Sequence, residues 1–133
     1  MLRDAAGAAG NIYLTRTTYT LLLALMIERL ESMLAAGNDS AMLRFSLGNA
    51  YQKSDRGVAL VHLRRAVELD PDYSAAWKLL GQTLAAENDL ESAAITYRRG
   101  IEVAQAQGDM QVVRELQVFL KRTEKLIVQS NQD

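Results

Sequence analysis

The segment Trp77-Lys78-Leu79-Leu80-Gly81-Gln82-Thr83-Leu84, followed past Asn88-Asp89 by Ala93-Ala94-Ile95-Thr96-Tyr97, decides the fold. An earlier stretch of the chain repeats it at a period of 33 to 34 residues. Leu47-Gly48 recurs as Leu80-Gly81, Ala59 as Ala93, Leu63 as Tyr97 and Ala66 as Gly100. Arg64-Arg65 recurs as Arg98-Arg99, and Glu68 as Glu102. Each residue type has a physical task. Gly48 and Gly81 allow two paired helices to approach closely, and Ala59 and Ala93 do the same from the opposite helix. Trp77, Tyr51, Leu63 and Tyr97 are expected to supply most of the area buried between helices. Pro71 disfavours helix in the residue before it and cannot continue the backbone ladder, so it separates one unit from the next.

The pattern Trp77-x-x-Leu80-Gly81-x-x-Leu84 with Ala93-x-x-x-Tyr97 resembles the tetratricopeptide repeat. The first copy supplies Leu47-Gly48-x-x-Tyr51, Ala59-x-x-x-Leu63 and Pro71 at matching places. It departs in having Arg44 where tryptophan would stand and a turn one residue short. Gln105 replaces the terminal proline of the second copy. The resemblance covers about residues 41 to 107 and implies an all-α fold. In that fold antiparallel helix-turn-helix units stack as a short right-handed solenoid of about six helices.

Turn chemistry bounds the helices. Apolar Leu23, Met26, Ile27, Leu30, Met33 and Leu34 fall at helical spacing, Gly37 offers a left-handed stop, and Asp39 or Ser40 can cap the next helix. Helices are expected at about 41–53, 56–69, 74–87, 90–107 and 110–128, with Ser74 capping the fourth. The expected organisation is an extension over 1–22 and a single domain over 23–129. Within the domain lie a half-repeat at 23–37, repeats at 41–73 and 74–107, and a capping helix at 109–128. That cap would turn Arg114, Glu115, Gln117, Lys121 and Arg122 outward.

The first 25 residues fit this scheme least. Ile12, Thr15, Thr17, Thr18, Tyr19 and Thr20 favour extended structure, and Gly7 and Gly10 interrupt the alanines before them. Three readings stand open: a frayed tail leading into the first helix, an upstream extension of a chain that starts at Met26, and a self-association segment. The apolar run from Leu21 to Ile27 is too short to span a bilayer, which takes about 20 residues, and charged Glu28, Arg29 and Glu31 follow it at once. A cytoplasmic setting is expected.

The chain has 133 residues, 49% hydrophobic and 23% charged, which suits one folded domain rather than disorder. Fifteen basic and sixteen acidic side chains leave a net charge of -1, so no bulk electrostatic pull toward nucleic acid or an anionic membrane exists. The absence of cysteine excludes disulfides and thiolate metal sites. His62 is the only histidine and has no second ligand at metal spacing, and it reads as a solvent-facing or partly buried helix residue. The serines lack a nucleophile-elbow context and no phosphate loop occurs. Asp70 and Asp72 bracket Pro71 as turn and cap residues. Arg64-Arg65 and Arg98-Arg99 form either an anion-binding stripe or a solvated helix face. No catalytic, cofactor or metal site is expected, and the protein is not expected to be an enzyme.

The resemblance implies a concave groove lined by the first helix of each pair. Met42, Phe45, Asn49, Gln52 and Lys53 would line it from the first copy, and Ala75, Lys78, Gln82 and Ala86 from the second. Met42 and Phe45 would anchor an apolar side chain, while Asn49, Lys78 and Gln82 would hold a peptide backbone or carboxylate. Members that clamp a chaperone's terminal carboxylate need polar residues where Phe45 and Leu79 stand, together with a third full repeat. The expected partner is therefore another protein of different kind, bound as a short peptide or helix. The alternatives are a groove filled by the protein's own last helix, and a self-assembling module that oligomerises through the N-terminal segment or an exposed helix face.

Overall fold

A computed structural model describes the backbone of residues 2–132 and the side chains of 15–132. The expectations for Met1 to Gly10 and for the Ile12 side chain lie outside the described side chains. Six helices make up the described residues, which contain no strand: α1 (Leu2–Ala35), α2 (Ala41–Tyr51), α3 (Arg56–Leu69), α4 (Ser74–Ala86), α5 (Leu90–Ala106) and α6 (Met110–Gln132). The chain divides into two compact units, Met1–Gly37 and Asn38–Asp133.

The first unit is the helix α1. The threonine-rich stretch that favours extended structure is helical throughout. Propensity differences there amount to only about half a kcal/mol per residue, and helix growth from the strong formers downstream is cooperative. The Thr20 hydroxyl donates to the Arg16 carbonyl at 2.9 Å, so that side chain does not compete with the helix ladder. Gly37 ends the segment at φ 96°, the left-handed stop expected of it.

In the second unit, successive helices pack in order from α2 to α6, and α4 also touches α6. Ser40, rather than Asp39, caps α2, accepting from the Leu43 amide at 3.1 Å. Asp55 and Asp89 cap α3 and α5 in the same way. Ser74 does not cap α4. Tyr73 occupies the N-cap position without a side-chain bond, and Ser74 is the first helical residue. Asn88 at φ 63° and Gly108 at φ 73° close α4 and α5 through matching backbone bonds, Asp89 to Leu84 and Asp109 to Ala104, both 2.9 Å. The turn after α2 is one residue shorter and closes instead with the Ser54 and Asp55 amides on the Tyr51 carbonyl.

The core runs through α3, α4, α5 and α6: Leu63, Ala66 and Val67; Ala76, Leu79, Leu80 and Leu84; Ala93 and Tyr97; Leu116. The repeat glycines work through one large partner each. A Cβ on Gly48 would lie 2.5 Å from Leu63 Cγ, and one on Gly81 would lie 2.4 Å from Tyr97 Cε1. The close approach is thus a glycine receiving the bulky residue of the next helix, while Ala59 and Ala93 are fully buried beside it. Leu63 and Tyr97 are buried as expected, but Trp77 and Tyr51 are only half-buried. Trp77 keeps its indole N–H at the surface, where it donates to the Pro71 carbonyl at 2.8 Å and ties α4 to the turn between the repeats. Asp70 serves that turn as expected, accepting from the Asp72 amide at 3.1 Å.

Candidate functional site

Arg44 solves the problem of the missing first tryptophan by polar means. Its guanidinium grips Asp39 with two bonds, 2.7 Å from Nε and 3.1 Å from Nη2, and reaches His62 Nδ1 from Nη1 at 3.0 Å. A guanidinium only donates, so His62 Nδ1 accepts, and the ring proton of the neutral imidazole belongs on Nε2. His62 is buried, against the more exposed place expected of it, because it also stacks on Tyr51 at 5.8 Å. Arg65 adds a weaker contact to Asp39 at 3.5 Å. The Arg44 hydrogen bond is the chief reason the Asp39 carboxyl is held below its ordinary value, partly opposed by desolvation and helped by the charges of Arg44 and Arg65. The paired arginines are largely engaged in this way: Arg65 also meets Glu68 at 3.2 Å, and Arg99 meets Glu102 at 2.9 Å. Arg98 comes within 4.0 Å of Glu124, and all four arginines of the two pairs are exposed, so the ladder is a solvated face on which Arg65, Arg98 and Arg99 are salt-bridged.

The groove residues divide by environment. Met42 is 70% exposed near the start of α2. Phe45, one turn on, is half-buried and lies against Tyr73 with ring centroids 5.1 Å apart, so only part of it faces out. Asn49 is exposed and accepts from the Gln52 amide at 2.9 Å, which orients both side chains, and Lys53 stands exposed just past the helix end. On α4, Gln82 is half-buried, while Ala75 and Ala86 are exposed.

Lys78 is not free. Its ammonium is bound to the Glu115 carboxylate of α6, whose other oxygen accepts from Gln111 at 3.4 Å. The Lys78 hydrogen bond and charge hold the Glu115 carboxyl below its ordinary value against a smaller desolvation effect. Glu115 therefore faces α4 and is half-buried, rather than turned outward as expected of it. Glu115 and Tyr73 are the residues that sequence reasoning missed. Lys78 and Glu115 stand thirty-seven residues apart, more than one repeat period, so the register gives no signal for their pairing. Tyr73 lies in the turn outside the helical pattern, and burial together with nearby Asp70 raises its phenol above the usual range.

Among the described residues no group of three or more His, Cys, Asp or Glu side chains could hold a metal ion. No described helix is long and apolar enough to cross a membrane. Helix pairs of one register, each fitting a bulky residue against a glycine and joined by short capped turns, define a helical repeat protein.

The comparisons specify the class. The tetratricopeptide repeat model matches residues 50–114. The TPR repeat-containing protein PA0015 of Pseudomonas aeruginosa is 46% identical over 102 residues, 76% of this chain and 97% of that protein. The chain belongs to the tetratricopeptide repeat family. The solution structure of protein BPP2914 from Bordetella parapertussis has 46% identity and a TM-score of 0.69, covering 80% of this chain and 93% of that one. The crystal structure of the Sgt2 TPR domain from Aspergillus fumigatus, at 22% identity and a TM-score of 0.71, covers 95% of this chain and 79% of its own, and shares the fold alone. Repeats of this family generally serve as surfaces for binding other proteins and are generally not catalysts.

Proposed function

We propose that this protein is an adaptor that binds a short peptide or helix of another protein along α2 and α4, with no catalytic step and no cofactor, in a cytoplasmic setting. Met42, Phe45, Asn49, Gln52, Lys53, Lys78 and Gln82 are the contact residues of this reading. The observation that carries it is the pairing of an exposed Met42 with a half-buried Phe45 that Tyr73 already supports. A large apolar anchor held beside a rigid aromatic, with oriented amides one turn away, is what a peptide-binding surface needs. The Lys78–Glu115 pair adds a polar rim whose lysine a partner carboxylate would have to take from Glu115. That exchange costs the existing pair, so the rim selects against an acidic group at that place and the apolar anchor carries the binding.

The test replaces two of the three exposed contact residues, Met42→Glu with Lys53→Glu, since neither is part of the core. Partners captured by the wild-type chain should be lost by the variant, while its melting temperature stays unchanged. Retention of the same partners by a folded variant overturns the proposal.

A further inference from the structure

Helix α1 carries a second surface, apart from the groove. Leu23, Ile27, Leu30 and Leu34 are half-buried on one face. A different stripe remains in solvent: Tyr19 is 65% exposed, Leu22 61%, Met26 45% and Met33 42%, with exposed Arg29 between the last two. The spacing 19, 22, 26, 29, 33 alternates three and four residues, the pattern of a coiled-coil seam. All five positions fall within one narrow strip of the helix surface.

We propose that this stripe pairs two copies of the chain through an antiparallel α1–α1 contact. The order of the side chains selects that partner and that direction. The spacing of Tyr19, Leu22, Met26 and Arg29 is the same read from either end about a point between Leu22 and Met26, and Met33 then falls opposite Thr15 of the second copy. An antiparallel copy therefore sets Leu22 opposite Met26 of the second copy, and Tyr19 opposite Arg29 of the second copy, at both ends of the seam. Leucine meets thioether, and an aromatic face meets a guanidinium, a favourable cation–π arrangement. A parallel copy would instead place Arg29 against Arg29 and set like charges face to face in the seam. Area supports the pairing as well. Tyr19, Leu22, Met26 and Met33 of the seam, with Leu25 on its flank, together expose roughly 600 Å² per chain, so two copies bury at most about the 1,200 Å² at which specific interfaces begin.

The experiment uses the full chain, which lacks cysteine. Sedimentation equilibrium of the wild type should show a dimer at micromolar concentration, and Leu22→Glu should weaken it by more than about tenfold in dissociation constant. Direction is read separately. A Leu22→Cys chain mixed with a Met26→Cys chain should form mainly the mixed disulfide under mild oxidation. A wild-type monomer at about 100 µM overturns the proposal, as does a dimer that Leu22→Glu leaves intact. Cross-linking of Leu22→Cys chains chiefly to one another overturns it too. Far-UV circular dichroism of Leu22→Glu at high concentration serves as the second readout: loss of no more than α1 helicity together with the dimer supports coupled pairing. Loss of the dimer through unfolding of residues 38–133 would count against it.

Discussion

Replacing Gly81 by alanine tests the packing argument most sharply, because intrinsic propensity and tertiary packing predict opposite signs. In an isolated helix, alanine is favoured over glycine by about 1 kcal/mol. In this structure the new Cβ would sit 2.4 Å from Tyr97 Cε1, 2.6 Å from Cδ1 and 3.1 Å from Cζ. The ring cannot swing away cheaply: Tyr97 is buried, and Phe119 lies 5.8 Å from it, centroid to centroid, on the other helix. Relief requires α4 and α5 to separate, and overpacking of this kind costs about 3 kcal/mol at the upper end of its usual range. The net expectation is a loss of about 2 kcal/mol. For a unit of this size that lowers the melting temperature by roughly 8 to 16 °C. Urea and thermal unfolding followed by circular dichroism measure it. Gly57→Ala is the control, since a Cβ there meets only Asp55 Oδ1 at an ordinary 3.5 Å. That variant should be neutral or more stable by up to about 1 kcal/mol. If Gly81→Ala is as stable as Gly57→Ala, glycine is not there to admit the tyrosine and the reasoning fails.

Further outcomes follow from the same contacts. Trp77→Phe removes the indole bond to the Pro71 carbonyl and should cost about 1 to 2 kcal/mol in chemical denaturation, with the fold retained; no change would mean the inter-repeat turn is held elsewhere. The carboxyls of Asp39 and Glu115 should titrate by NMR below their ordinary values of 3.8 and 4.5. Because their folded values are lowered, the stability they contribute is complete above the ordinary carboxylate range and disappears as pH falls through the folded values. Arg44→Met should return Asp39 toward its ordinary value, and Lys78→Met should do the same for Glu115. The Tyr97 phenol is pushed up to about 12 by burial, with Arg122 opposing. Its contribution is therefore present below pH 10 and fades as pH rises toward 12, which ultraviolet titration of Tyr97→Phe against wild type would isolate.

Much of this molecule can be read from residues near one another in the chain. Helix periodicity, the stops at Gly37, Asn88-Asp89 and Gly108, the break at Pro71 and the 33 to 34-residue repeat are local signals, and local physics places them. The bounds of α3 follow from Asp55 before it and Asp70-Pro71 after it, both short-range effects. Of the candidate site, Met42 and Asn49 were accessible in the same way, as outward positions on one repeat's first helix, and Lys53 as a polar residue just past its end.

The remainder depends on which side chains meet across helices, and one-dimensional order carries no such information. Arg44 reads as a defect in the repeat until Asp39 and His62 are seen to bind it. Lys78 reads as an open groove cation until α6 brings Glu115 to it from thirty-seven residues away. Weak extended preferences near Thr17 to Thr20 yield to cooperative helix growth, so α1 extends where propensity alone would stop it. Composition and period determined the kind of protein. Helix-to-helix register, set by how Leu63 and Tyr97 seat against Gly48 and Gly81, decided which charges are spent on the fold and which stay exposed.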